Sequence, residues 1–436
     1  MPIPSLQGLQ TALSGLIAEQ TALDTTGNNI ANANTEGYSR ETALLEPQEP
    51  LTIPALSAYT GAGAQLGTGV SVSTITRVRN GYLDAQYRAQ NSSLSAATTD
   101  AEVLEQAQSA FNEPSNASVA SQLSNFWSAW NSLATSPTSE AAKEAVVAAG
   151  EQLAMTVNQL SGQLSAISSQ VSEQYEALTG PSGEVASIAE QLAQLNGQIK
   201  LSEEAGTPPD EMLDRRDALL DKLSSLANIT VTEEPNHMDT VSFGEAEEPL
   251  VEGTKVNWPQ ELTAASGGRL GALLSLTSPE GALTQLQSSL DGVAQTLAGT
   301  VNEHLATPFF SGESAATLAV GVTPAEVSPS GTEAAGGNEV AQAIASLRGG
   351  AAEQDYAALV EKVGSSVQRA HNDESNLQTT LTAINDQRQS VSGVSLDEEM
   401  TNLITFQRGY QASARTLTAM SEMLETLIEH TGVVGL

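Results

Sequence analysis

Four histidines, His237, His304, His371 and His430, are the side chains best suited to metal ligation or proton transfer, and no two stand at a metal-ligand spacing. Cysteine is absent, which removes disulfides, thiol nucleophiles and cysteine-bound metals together. There is no Gly-x-Ser-x-Gly elbow, no His-Glu-x-x-His helix and no calcium loop. The glycine-rich run from Gly61 to Gly69 has the composition of a phosphate cradle. It leads into a strand pattern where a helix is required, and no Lys-Ser or Lys-Thr pair follows, so a nucleotide site is not expected. Asp214, Arg215 and Asp217 bring acid and base onto one helical stretch. Ion pairs along an exposed helix face are the expected role for them. The residue types therefore argue against an enzyme, and neither metal nor cofactor is expected.

Charge narrows the partners. The chain has 52 acidic against 17 basic residues, a formal charge of -35, which repels nucleic acid and anionic membranes. No run is long and apolar enough to span a bilayer, so no membrane insertion is expected. The first cation is Arg40 and the early apolar positions form a stripe, which is not the pattern of a secretory signal. The expectation is a cytoplasmic protein, or one exported without a cleavable signal peptide. At 436 residues, two to four domains are expected.

The elements that must position any working surface lie at the two ends. Leu6, Leu9, Leu13, Leu16, Gln20, Leu23, Gly27 and Ile30 alternate steps of three and four, a heptad seam. Leu403, Phe406, Tyr410, Ser413, Leu417, Met420, Leu424 and Leu427 repeat the pattern. Matching seams predict an antiparallel pair of terminal helices, with Leu13 and Leu16 facing Leu417 and Met420 and the rest of the chain looped out. Gln20, Gly27 and Ser413 are weak seam residues, so the pair is expected to be only marginally stable. The alternative is two unrelated amphipathic helices on a globular core.

Between the ends the reading is mainly α. Helices are expected near 82–111, 117–134, 138–179, 184–205 and 210–227, then 281–306, 356–391 and 395–430. The run from Glu46 to Val78 reads as a connector with one short strand, and a Gly/Pro/Ser/Thr-rich loop is expected up to Gly337. Phe126, Trp127, Trp130 and Leu133 lie at helical spacing and are assigned to the core. Ser395, with Glu398 three residues on, is a capping box opening the last helix. Alternation around Ile229, Val241, Phe243 and Val251 marks a small β insertion, expected to be separable from the helices. The predicted division is a terminal helical domain of 1–60 and 395–436, a helical bundle of 61–228 and 269–394, and a β insertion of 229–268. The fold class expected is a terminal coiled coil, a central long-helix bundle and this insertion.

After the first helix comes Asn28-Asn29-Ile30-Ala31-Asn32-Ala33-Asn34-Thr35-Glu36-Gly37-Tyr38. Asparagine side chains compete for backbone hydrogen bonds and Gly37 tolerates positive φ, so a rigid turn is expected. This string resembles the N-terminal signature of the bacterial flagellar rod, hook and hook-associated proteins. Ser39-Arg40 and the segment Asp210 to Asp217 resemble the hook-associated branch, and Asn402 to Arg415 is similar to the family's C-terminal signature. The resemblance implies a structural adaptor between hook and filament that templates the next hook-associated protein, with its terminal helices in an inner tube. It implies as partners other copies of the chain in a ring, the hook protein, the next hook-associated protein and an export chaperone. The assembly residues expected are the leucines, the aromatics and Met420 of the two seams with Asn28, Asn29, Ile30, Asn32, Asn34, Gly37 and Tyr38. Rival readings are a rod or hook axial protein, a flagellum-attached peptidoglycan hydrolase and a generic coiled-coil binding module.

Overall fold

The computed structural model describes residues 4–53, 64–234, 238–330 and 336–430. Gly61, Gly63 and His237 lie outside the described residues, as do the side chains of Leu6 and His430. Helix α1 (Pro4–Asn32) opens the chain and is followed by a ribbon of β1 (Glu41–Pro47), β2 (Leu51–Ile53), β3 (Ala64–Leu66) and β4 (Val70–Arg77). β1 pairs antiparallel with β4 through a bulge between Leu44 and Leu45, and β2 pairs with β3. The ribbon is longer than the connector expected, because β1 lacks the alternation that marks a half-buried strand. Leu44, Leu45, Leu51 and Leu66 are all exposed on it.

Helices α2 (Gly81–Phe111), α3 (Val119–Thr135), α4 (Glu140–Thr179), α5 (Glu184–Glu204) and α6 (Asp210–Leu226) follow. Local chemistry sets their ends: the Asn80 side chain accepts from the Tyr82 and Leu83 N–H groups, and Ser118 and Ser139 cap α3 and α4 in the same way. Next comes a four-stranded antiparallel sheet, in the order β5 (Ile229–Thr232), β6 (Thr240–Phe243), β7 (Val251–Glu252), β8 (Lys255–Val256). The remaining elements are α7 (Gly268–Thr277), α8 (Ala282–Asn302), the short pair β9 (Phe310–Ser311) and β10 (Ala319–Val320), α9 (Glu339–Ala345), α10 (Ala351–Ser392) and α11 (Leu396–His430). The fold is mainly α: paired terminal helices, a bundle of long helices and small sheets.

Two cores hold the middle of the chain. Phe126, Trp127, Trp130 and Leu133 of α3 are fully buried, as their spacing predicts. They meet Phe309 and Phe310, whose ring centroids lie 5.5 and 5.4 Å from that of Phe126. Those two phenylalanines come from the stretch expected to be a polar loop. Its composition hides a two-residue anchor that fills the bundle. Gly150 makes room for it, since a Cβ there would fall 2.6 Å from the Phe309 ring. The second core joins the β insertion to the helices. Val241, Phe243, Leu250 and Val251 are buried in one cluster with Val185, Ile188 and Leu192 of α5 and Leu220 and Leu223 of α6. A four-stranded sheet with one apolar face must cover that face, and here two helices of the bundle do so.

Candidate functional site

α1 and α11 lie antiparallel, and their register is constant. Gly8 lies against Met420, Gly15 against Ser413, Glu19 against Gly409, and Asn29 donates to Glu399. The residue numbers of each of these pairs add to 428. That register sets Ala18 opposite Tyr410 and Ala22 opposite Phe406, and both alanines are buried. On α11 the half-buried positions include Leu403, Phe406, Tyr410, Ser413, Leu417, Met420 and Leu424, while Leu427 is exposed. The contact is therefore large side chains of α11 set into a stripe of small residues on α1. Small residues let two helices approach closely, and a Cβ at Gly8 would fall 2.7 Å from the Met420 methyl. The leucine stripe predicted for α1 lies to the side of this contact. Leu13 is 46% exposed, Gln20 and Gly27 are exposed, and Leu9, Leu16, Leu23 and Ile30 are half-buried. Leu13 and Leu16 do not set the register against Leu417 and Met420. The small-residue stripe does, because only it admits the α11 side chains.

At the root of the pair, Asn29 is 1% exposed and acts as a piece of strand edge. Its Nδ2 donates to the Glu41 carbonyl at 2.9 Å and its Oδ1 accepts from the Glu41 N–H at 2.9 Å. Oδ1 also accepts from the Tyr38 hydroxyl at 2.8 Å, and Nδ2 donates to Glu399 at 3.2 Å. One amide thus joins α1, the turn, β1 and α11. Burial, followed by the Glu41, Asp214, Glu399 and Asp210 carboxylates, pushes the Tyr38 hydroxyl pKa up, so Tyr38 stays a donor. Asn32 donates to Asn28 at 2.9 Å and accepts from Thr35, and Gly37 turns the chain at φ 81°. Asn34 is exposed. Ser395 accepts from the Glu398 N–H at 3.5 Å, but the Glu398 carboxylate bonds Arg40 at 2.9 Å. The capping box is corrected to half a box, because the guanidinium is the stronger partner.

Beside this root lies a cluster of four arginines and four aspartates. Arg77 reaches Asp214 at 2.8 Å and Asp217 at 2.5 Å; Arg79 reaches Asp84 at 2.7 Å and Asp217 at 3.1 Å. Arg88 bonds Asp217 and Asp221, both at 2.9 Å, and Arg388 bonds Asp84 at 2.6 Å and Asp221 at 2.7 Å. The Ser39 hydroxyl donates to Asp214 at 2.7 Å and accepts from Arg79 at 3.2 Å. Asp214 and Asp217 are thus not surface pairs within their own helix. Their partners come from the turn before β1, the end of β4, the segment after it and α2, which sequence spacing does not reveal. Burial raises the Asp217 pKa, but Arg79, Arg77 and Arg88 outweigh it and hold the carboxyl below its ordinary range. Asp239, buried beside Arg216 at 3.1 Å, goes the other way: burial wins over the arginine and lifts it to about 6.

Comparison with known proteins places this geometry. A pattern described as the flagellar hook-associated protein FlgK helical domain matches residues 104–264. Patterns of the flagellar basal body rod proteins match 9–38 and, as the FlgEFG C-terminal segment, 386–429. Flagellar hook-associated protein 1 of Bacillus subtilis is 31% identical over 99% of both chains. The chain belongs to the flagellar hook-associated protein 1 family. The Escherichia coli protein of that name is 29% identical over 51% of this chain, which spans 39% of that relative's length. A solved structure of the flagellar hook junction protein FlgK from Burkholderia pseudomallei overlaps 51% of this chain and 44% of its own at 24% identity, with a TM-score of 0.46, too loose to argue from. Within this hook-associated protein 1 relative, the sequence reading missed the small stripe of Gly8, Gly15, Ala18 and Ala22. Its signal was there, as small residues at the same alternating spacing as the leucines. The reading also missed Arg77, Arg79, Arg88 and Arg388, whose signal was scarcity, since each is one of only 17 cations.

Proposed function

We propose that this chain is a structural, non-catalytic adaptor of the bacterial flagellum, standing at the junction of hook and filament and templating the next hook-associated protein. The full-length correspondence to hook-associated protein 1 of Bacillus subtilis carries this reading. The helical middle favours it over a rod or hook axial protein, for which a mostly β middle is expected. In this reading residues 1–60 and 395–436 enter the inner tube, 61–228 and 269–394 form the surrounding bundle, and the sheet of 229–268 points outward. Leu13, Leu16, Leu23 and Ile30, with the exposed Ile17, form the α1 face offered to neighbouring copies in a ring. Phe406, Tyr410, Leu417 and Met420 hold the pair itself, and the knot of Asn28 to Tyr38 fixes its root. The partners are the hook protein, further copies, the next hook-associated protein and an export chaperone. Purified hooks provide the test. Full-length protein should cap their distal ends in electron micrographs, and a chain stopped after Gly393 should not. Capping by the shortened chain would overturn the role given to the terminal pair, and no capping by either would overturn the junction role.

A further inference from the structure

Among the described residues the chain passes between the terminal pair with its ribbon and the helical bundle twice, after β4 at residues 78–80 and before α11 at residues 393–395. Both crossings run past the same face of α6, on which Asp214, Asp217 and Asp221 follow at spacings of three and four. Arg77, at the end of β4, and Arg79, within the first crossing, bind Asp214 and Asp217. Arg388, just before the second, binds Asp221 and lies over the Tyr87 ring at 4.7 Å. Ser39, in the turn from α1 to β1, bonds Asp214 through both its backbone N–H and its hydroxyl. The backbone of Arg40 ties the crossings to each other: its N–H donates to the Ser392 carbonyl at 2.9 Å and its carbonyl accepts from the Val78 N–H at 2.8 Å.

We infer that the aspartate face of α6 is a socket that fixes the angle between the terminal pair and the bundle, with Asp217 and Ser39 as its positioning residues. Asp217 accepts from three arginines carried by the crossing segment and α2, so one carboxylate orients three side chains. Guanidinium and carboxylate meet in fixed planar geometry, and a charge-balanced cluster shielded from water leaves little freedom of direction. Packing alone does not account for this, because polar groups in place of an apolar seam are satisfied in only one arrangement. The inference concerns the isolated chain and goes beyond its place in the flagellum, so it stands or falls separately from that role.

Distance measurement tests it. The natural chain has no cysteine, so Thr401→Cys at the root of α11 and Met155→Cys on α4 give two unique, exposed spin-label sites. The unaltered background should give one narrow distance distribution by pulsed electron resonance. Asp217→Asn and Ser39→Ala should each widen it, while the near-ultraviolet signal of the buried Trp127 and Trp130 is unchanged; Arg79→Lys, which keeps the charge, should widen it less than Arg79→Ala. Should Asp217→Asn fail to fold, Ser39→Ala decides alone, since it removes only a hydroxyl. A broad distribution in the unaltered background overturns the socket. So does a distribution that stays narrow in Ser39→Ala and in every other variant that folds.

Discussion

At the scale of single residues, the working groups are those whose polar atoms are out of water and fully used. Asn29→Ala would strand the Glu41 N–H and the Tyr38 hydroxyl, and each unsatisfied buried group costs about 1–3 kcal/mol. The expected outcome is faster hydrogen exchange at the Glu41 amide with the exchange of the bundle unchanged. Asp239 gives a pH signature. Its folded pKa of about 6 lies above the ordinary aspartate value, so its contribution to stability is fullest below about pH 4 and is lost as pH rises through 6. Comparing wild type with Asp239→Asn by urea unfolding, the difference should move in favour of the variant between pH 4.5 and 7.5. Asp217 has the opposite sign: held low by its arginines, it stabilises above the ordinary carboxylate range, and that contribution is lost progressively as pH falls from the ordinary aspartate range through its depressed pKa.

Between elements, shape decides more than hydrophobicity. Leu13 is the larger and more apolar residue, yet Gly15 sits at the contact with Ser413, where a Cβ would come within 3.1 Å of the Ser413 hydroxyl oxygen. Gly15→Leu should therefore separate α1 from α11, read as loss of helical circular dichroism and rapid proteolysis before residue 32. Leu13→Gln should leave both unchanged, within the roughly 0.5 kcal/mol typical of surface substitutions. The sheet makes the same point in the other direction. Phe243 packs edge-on against Trp258 at 6.1 Å and shares a core with α5 and α6. Phe243→Ala should cost about 3–5 kcal/mol and shift the Trp258 fluorescence transition together with the helical signal of α5 and α6.

For the whole molecule, the terminal pair is expected to grow less stable with distance from its root at Asn29 and Glu399. Among the described residues of α11 the one fully buried side chain is Glu399, at the root, and those beyond it are partly buried or exposed. The bundle, by contrast, holds its aromatic cluster fully out of water. Segments with few buried contacts open first, so amide protection in the isolated chain should decline from Asn29 and Glu399 towards Gly8 and Met420. A gradient of exchange rates along α1 and α11 is the measurement. Uniform protection along both helices would mean that the pair is as firmly packed as the bundle. A tip that opens easily suits the proposed role, in which neighbouring copies complete the helix pair.

Sequence alone determined the helical class, the two long terminal helices and the aromatic core of α3, because each is a local repeat of side-chain type. It also carried the turn from Asn28 to Tyr38, since asparagine and glycine specify backbone geometry within a few residues. Tertiary structure decided which stripe of α1 meets α11, because leucine and glycine stripes at the same spacing both satisfy a heptad and only close approach separates them. It decided that Phe309 and Phe310 complete the bundle from within a polar stretch. It also joined Ser39, Arg77, Arg88 and Arg388 to one face of α6. Charges separated by more than a hundred residues carry no record in sequence of the partner that folding will bring to them.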